Sequence, residues 1–310
     1  MALALSKNSN RGTVGLDLDG AFIAAVQTSS DGVTRAASVE LAPGVISDGE
    51  VTDVTALTEA LRDFFKAEAL PRRVRLGIGN QQIVVRQMEI PKIDDDKERA
   101  AAVRFQAAEA IAMPLDEVVL DHQVVGEGVS PEGSGRLRVV VVAARESMIA
   151  RVVEAVRGAG LRPEGIDLNA FALVRTLAVP SDSTETARVF CHLGGVTNLA
   201  IAVGTSCLFT RPLSTEWDSD DGNVAAALAE EIRMSIDFYM AQPEARWVGE
   251  IVLSGPGSRR AGLTEELGSL IEVPVTVAEP LGRLHTDKFP LHEDPHRYTV
   301  AAGLALGSSA

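Results

Sequence analysis

Thr13-Val14-Gly15-Leu16-Asp17-Leu18-Asp19-Gly20 sets a pattern that returns as Arg188-Val189-Phe190-Cys191-His192-Leu193-Gly194-Gly195. Each stretch reads as an apolar strand running into a tight glycine turn. A second apolar strand follows each turn, over 21–27 in the first copy and 198–203 in the second. Overlaying the two places Asp17 on His192, an offset of 192 − 17 = 175 residues. A third strand follows each hairpin, near 34–41 and over 207–213. The first copy goes on to a helix over 53–69, where Val54, Leu57, Leu61, Phe64 and Phe65 recur at helical spacing, and a strand over 74–78. The second goes on to a helix over 223–240, a strand over 250–254 and a helix beginning near Arg260. Two copies of a β-β-β-α-β-α order predict two similar lobes facing one another across a cleft.

The first copy is interrupted. Residues 83–90 read as a strand and 97–112 as a helix, with Asp94, Asp95 and Asp96 at its N-terminus, where acids oppose the helix dipole. Strands over 118–125 and 136–144 and a helix over 146–159 complete a β-α-β-β-α insertion. A helix near 169–178 follows. The first ten residues read as a loose tail.

Composition removes several functions. The 310 residues carry 43 acidic and 29 basic side chains, a net charge of −14, which repels nucleic-acid backbones. Aromatic residues make up 4%, too few for base-stacking platforms, and the 46% hydrophobic content suits a folded globule. Cys191 and Cys207 lack metal spacing, so a reducing cytoplasm is the default setting. Apolar runs such as 139–144 are too short to span a bilayer, and the first residues lack a basic leader. Membrane contact is expected only through a partner.

A tight glycine turn lets backbone N–H groups approach phosphate oxygens, and two such turns facing one another can grip a nucleotide. The order of motifs adds to this: Gly15-Leu16-Asp17-Leu18 with Ala25-Val26, Pro114-Leu115-Asp116-Glu117-Val118-Val119-Leu120-Asp121, Val141-Val142-Ala143-Ala144-Arg145, Ala159-Gly160-Leu161-Arg162-Pro163, Gly165-Ile166-Asp167, Thr210-Arg211-Pro212-Leu213, Ile251-Val252-Leu253-Ser254-Gly255 and Ala301-Ala302-Gly303-Leu304-Ala305-Leu306. In these the chain resembles the PilM family of type IV pilus assembly proteins, within the actin-like ATPase superfamily. The resemblance implies an α/β, actin-like ATPase fold of two ribonuclease-H-like lobes with an inserted β-α-β-β-α subdomain. The first lobe would span 12–186, with the partner-binding insertion at about 82–163, and the second 187–310. It implies a cytoplasmic scaffold held at the inner membrane by a partner, the N-terminal cytoplasmic peptide of a PilN-like inner-membrane protein. The peptide groove would lie near 77–85 and the helix from Lys97.

The resemblance also implies ATP and magnesium. It places nucleotide contacts at Asp17, Asp19, Gly20, Gly194, Gly195, Thr197, Gly255, Gly257 and Ser258, with Asp17 on the metal side, and assigns no catalytic residue. Departures from the family pattern weaken that chemistry. Asp19 stands where a glycine is expected, Ala24 where lysine is common, and His192 where an aspartate positions magnesium. Ser214-Thr215-Glu216-Trp217-Asp218 replaces a Gly-Gly, and Pro256 replaces a glycine and removes a donor. The expectation is a retained fold with ATP chemistry reduced or lost. The alternatives are a magnesium-dependent ATPase or kinase, a division filament protein, or the cytoplasmic platform of a type II secretion system.

Other residues read more plainly. His192 is expected to be a satisfied, partly buried histidine. His285, His292 and His296 lie in a proline-broken loop rather than at zinc spacing on a helix. Asp218, Asp220 and Asp221 are expected to solvate a loop. Glu230 and Glu231 could face a ribose or only water. No nucleophile elbow or Cys-x-x-Cys pair is present in the sequence.

Overall fold

The computed structural model describes residues 12–29, 32–130, 133–179, 185–218, 223–242, 245–281, 284 and 294–307. The first lobe opens with strands β1 (Val14–Leu18), β2 (Phe22–Ser29) and β3 (Gly32–Glu40), the short pair β4 (Ile46–Ser47) and β5 (Glu50–Val51), helix α1 (Val54–Ala67) and strand β6 (Arg73–Ile78). The insertion supplies β7 (Val84–Pro91), α2 (Asp96–Ala110), β8 (Val118–Val129) and β9 (Gly135–Arg145), followed by α3 (Glu146–Gly158). Strand β10 (Arg162–Leu168) and helix α4 (Asn169–Leu177) lead to the second copy. That copy contains β11 (Ala187–His192), β12 (Asn198–Val203), β13 (Ser206–Pro212), α5 (Val224–Met240), β14 (Val248–Ser254), α6 (Leu263–Ile271), β15 (Val275–Val277) and α7 (Thr299–Leu306).

The two large sheets are wound alike. The first runs β3-β2-β1-β6-β10 and the second β13-β12-β11-β14-β15. In each, three antiparallel strands are followed by two parallel ones. This is the duplication that the hairpin repeat predicts. Parallel pairing needs a crossover. Helix α1 carries the chain from the antiparallel strands to β6, and α5 does the same before β14.

Helix α1 forms where the pattern places it. The Asp53 carboxylate caps it by accepting from the Ala56 N–H at 2.9 Å, and Leu57, Leu61, Phe64 and Phe65 turn inward. They meet Ile149, Val152, Val153 and Val156 of α3 in one core with Leu16, Ile23, Val74 and Leu76. Each large side chain buried there contributes about 1.5–3 kcal/mol. The second core gathers Val189, Leu199 and Ile251 against Leu228, Ile232 and Leu267.

The insertion forms its own three-stranded sheet, β7-β9-β8. One face, with Val139, Val141 and Ala143, packs on Val103 and Ala107 of α2. Side chains alternate along a strand, so Val140 and Val142 point the other way, and Val142 joins the first-lobe core.

Helix α7 crosses back from the second copy onto the first sheet. Ala301, Ala302 and Ala305 pack on Phe22, Ala24 and Val26. The approach is so close that a Cβ at Gly15 would collide with the Ala301 carbonyl, and one at Gly303 with the Ala172 carbonyl. Arg75, buried beneath, donates to the Leu304 carbonyl at 3.0 Å. No helix among the described residues is long and apolar enough to cross a membrane.

Candidate functional site

The two central strands, β1 and β11, end at the same place between the lobes. The pseudo-symmetry brings Asp17, near the end of β1, beside His192 at the end of β11, and Asp19 comes in from the first turn. Their exposures are 1%, 3% and 7%. One ligand atom from each lies within 4.8 Å of the others, so the three form a candidate metal-coordinating cluster. Asp17 Oδ1, Asp19 Oδ1 and His192 Nε2 have no hydrogen-bond partner.

Burial controls the electrostatics. It raises Asp17 well above the usual carboxylate range, and the neighbouring Asp19 charge adds to the rise. Burial likewise lifts Asp19 to about 6, against the opposing effect of the Gly195 and Ala21 N–H groups. It lowers His192 to about 4, with His296 adding to the fall. His192 is oriented from 62 residues away, because its Nδ1 lies 3.0 Å from Ser254 Oγ on the adjacent strand β14. The sequence expectation of a satisfied histidine holds for one ring nitrogen and fails for the other.

The glycine turns contact each other directly. Asp19 Oδ2 accepts from the Gly195 N–H at 2.7 Å, and a Cβ on Gly195 would collide with the Asp19 backbone carbonyl. The carboxylate thus occupies the Gly195 N–H donor of the second turn. Gly20, at φ +111°, makes the turn without strain. Trp217 fills the space on the second-lobe side. Its Nε1 donates to the Gly194 carbonyl at 2.9 Å, and a Cβ at Gly257 would strike its indole ring. Thr197 and Ser258 spend their hydroxyls within the protein, on the Thr215 and Gly255 carbonyls at 2.9 and 2.7 Å. Gly255, at φ +81°, leads into a 3-10 helix over Pro256–Arg259 and lies against the His192 ring. A cavity of about 20 Å³ remains, lined by Asp17, Asp19, Asn169, His192 and Asn198 among others. One water fills such a space.

The remaining candidates separate cleanly. The Glu231 carboxylate accepts from the Ser214 and Thr215 N–H groups at 3.0–3.1 Å and from the Thr215 hydroxyl, so it is not open to a ribose. Glu230 is exposed on α5. His296 lies in a short 3-10 helix with its Nδ1 3.3 Å from Ser258 Oγ. His285, His292, Asp220 and Asp221 lie outside the described residues. Cys191 and Cys207 are free thiols, each pushed up to about 12 by burial. Trp217 and Ser254 were not singled out by the sequence as parts of a site. Ser254 was legible as the end of a predicted strand and part of a family-like motif, and Trp217 as part of the segment replacing Gly-Gly.

A groove lies between the inserted sheet and the first lobe. Asp121, Gln123, Val140 and Val142 form one wall, and Ile166, Leu168 and Phe171 the other. Strand β8, along one wall, is an edge strand. The α2 helix packs on the opposite face of the inserted sheet and is no part of this groove. A larger cavity, of about 310 Å³, separates the insertion from the second lobe, with Gln87, Val125, Leu208 and Tyr239 in its lining.

Comparison with known proteins gives concordant results. The family of type IV pilus assembly protein PilM matches residues 15–214 and 224–309. The structure of a PilM–PilN type IV pilus biogenesis complex is similar at TM-score 0.81 and 24% identity, over 97% of this chain and 100% of that one. The cytoplasmic domain of EpsL, an inner-membrane component of the type II secretion system of Vibrio cholerae, is similar at TM-score 0.52 and 13% identity, over 96% and 95% of the two chains. A Bacteroides thetaiotaomicron protein of unknown function, described as having an actin-like ATPase fold, is similar at TM-score 0.50 and 11% identity, over 89% and 93%. The fold is the actin-like ATPase fold predicted from the sequence.

Proposed function

Because the chain belongs to the family of type IV pilus assembly protein PilM, we propose that it is a cytoplasmic scaffold that binds the N-terminal cytoplasmic peptide of a PilN-like inner-membrane protein. The observation that carries this reading is the likeness, over 97% of the chain, to the structure of a PilM–PilN complex. In this reading the partner holds the protein at the inner membrane. The first lobe is taken over 12–186, with the partner-binding insertion at about 82–163, of which α3 and the start of β10 pack into the first lobe rather than the inserted sheet, and the second lobe over 187–310, which lends α7 back to the first sheet. The groove beside β8 supports the assignment. An extended peptide can add to the open strand edge through its backbone and place alternate side chains against Val140, Val142 and Phe171.

The sites at Asp17, Asp19, Gly20, Gly194, Gly195, Thr197, Gly255, Gly257 and Ser258 descend, in this reading, from a nucleotide site that now joins the lobes directly. Hydrolysis needs a bound phosphate, a metal ion and a positioned water. The Asp19–Gly195 contact and the Trp217 indole take the places of the first. ATP and magnesium are therefore dispensable for the scaffold role.

Calorimetry with the cognate PilN-like N-terminal peptide tests the reading. Micromolar binding is expected, weakened about tenfold or more by Phe171→Ala, an estimate in line with the loss of one anchoring aromatic. No binding by folded protein would reject the scaffold assignment.

A further inference from the structure

We infer that Asp17, Asp19 and His192 form a binding site for a single divalent transition-metal ion of the zinc class, which joins the two lobes in the absence of nucleotide. Asp17 Oδ1, Asp19 Oδ1 and His192 Nε2 are buried acceptors, and none has a hydrogen-bond partner. Buried polar atoms are normally paired, and three orphans in one place are costly unless something positive sits between them. One ligand atom from each of the three residues lies within 4.8 Å of the others, so small side-chain movements bring all three onto one ion. Zinc holds imidazole nitrogen and carboxylate oxygen at about 2.0–2.2 Å.

The donor set selects the ion class. Magnesium takes oxygen ligands and resists imidazole, whereas zinc, cobalt and nickel accept it. His192 is arranged as a metal-binding histidine is. When Nδ1–H donates to Ser254 Oγ, Nε2 carries the bare lone pair that a metal requires. Gly194 and Gly255 pack against the ring, where a side chain at either position would crowd it, and hold it in place. The cavity of about 20 Å³ accommodates one ion or one water. Asn169 Oδ1, another buried acceptor without a partner, lines the same cavity and supplies the acceptor that a metal-bound water needs.

The lobes contribute unequally. Asp17 and Asp19 come from the first and His192 from the second, so a bound ion ties β1 to β11. The same carboxylate of Asp19 already reaches across to Gly195 through Oδ2. The ion would complete with Oδ1 a junction that the other oxygen begins. This inference does not depend on the peptide-binding reading, because either can fail alone.

The test uses the full chain, stripped with a chelator and free of nucleotide. Cobalt is titrated first, as a visible probe, then zinc and magnesium, with elemental analysis after dialysis. One cobalt or zinc ion per chain is expected, with a cobalt d–d absorption band and a raised melting temperature, and no shift with magnesium at the same concentration. His192→Ala and the nearly isosteric Asp19→Asn should each abolish the cobalt band, and Ser254→Ala should weaken binding about 10–100-fold. X-ray absorption of the zinc-loaded wild type should show nitrogen and oxygen donors, a readout independent of whether a variant folds. No retained metal in folded wild type, a sulfur donor, or unchanged binding in Asp19→Asn would overturn the inference. In the first case the cluster is neutralised by protons alone.

Discussion

At Gly195 the absence of one side chain keeps the lobes together. A Cβ there would meet the Asp19 carbonyl, so the turns must separate. Gly195→Ala should cost roughly 1–3 kcal/mol by chemical denaturation, the usual scale of a local overpacking error. Gly128→Ala, which meets nothing within 4 Å, should stay within about 0.5 kcal/mol. Trp217→Ala removes a half-buried indole and should cost roughly 2 kcal/mol, about half of the fully buried value. A different residue sets a pH dependence. Burial works to raise the Glu164 carboxyl, but hydrogen bonds from Thr13 and Arg73 and the charges of Arg73 and Arg75 prevail and hold it below its ordinary 4.5. A depressed carboxyl contributes stability above its unfolded value and loses it as pH falls through the folded one. The melting-temperature gap between wild type and Glu164→Gln should therefore be present at pH 7 and shrink as pH falls below 4.5. Asp17, Asp19 and His192 were each visible in the sequence as members or departures of a pattern. Their facing one another follows from the duplication; the Ser254 contact that orients His192 was not legible, because it depends on β14 lying beside β11.

Among the elements, legibility followed local pattern. The hairpins, α1, α3 and α5 were readable because apolar period and caps agree along a single segment. Strand β10 was missed. Its start, Arg162-Pro163-Glu164-Gly165, lacks alternation, and the proline is tolerated because β10 lies at the sheet edge. The helix expected near Arg260 begins at Leu263, after the 3-10 turn at Pro256–Arg259. The stretch over 301–306 is family-like in sequence, yet nothing in it shows where α7 packs. Val300-Ala301-Ala302-Gly303-Leu304-Ala305 is apolar on every side, so no face points to a partner. The structure supplies the reason, since α7 lies between the first sheet and α4. Gly303→Ala should drive its Cβ into the Ala172 carbonyl and cost roughly 1–3 kcal/mol. Hydrogen exchange should locate the loosening in α7, β1 and α4.

For the molecule as a whole, the scaffold reading predicts that direct contact between the turns leaves partner binding uncoupled from nucleotide. Affinity for the PilN-like peptide, measured by calorimetry, should be the same with and without magnesium ATP, because a ligand shifts an equilibrium only through unequal affinity for its states. A change of tenfold or more on adding magnesium ATP would show that the cleft opens. The cleft holds two buried carboxylates, and Ala24 supplies no lysine to offset them. The return of α7 to the first sheet has a consequence for synthesis. Thr299 leaves the ribosome long after Leu18, by about 15–60 s at ordinary elongation rates of roughly 5–20 residues per second. Through that interval the first sheet offers bare Phe22, Ala24 and Val26 where α7 will lie. The amino-terminal lobe therefore completes its core only once α7 is made, and until then the nascent chain carries an uncovered apolar face.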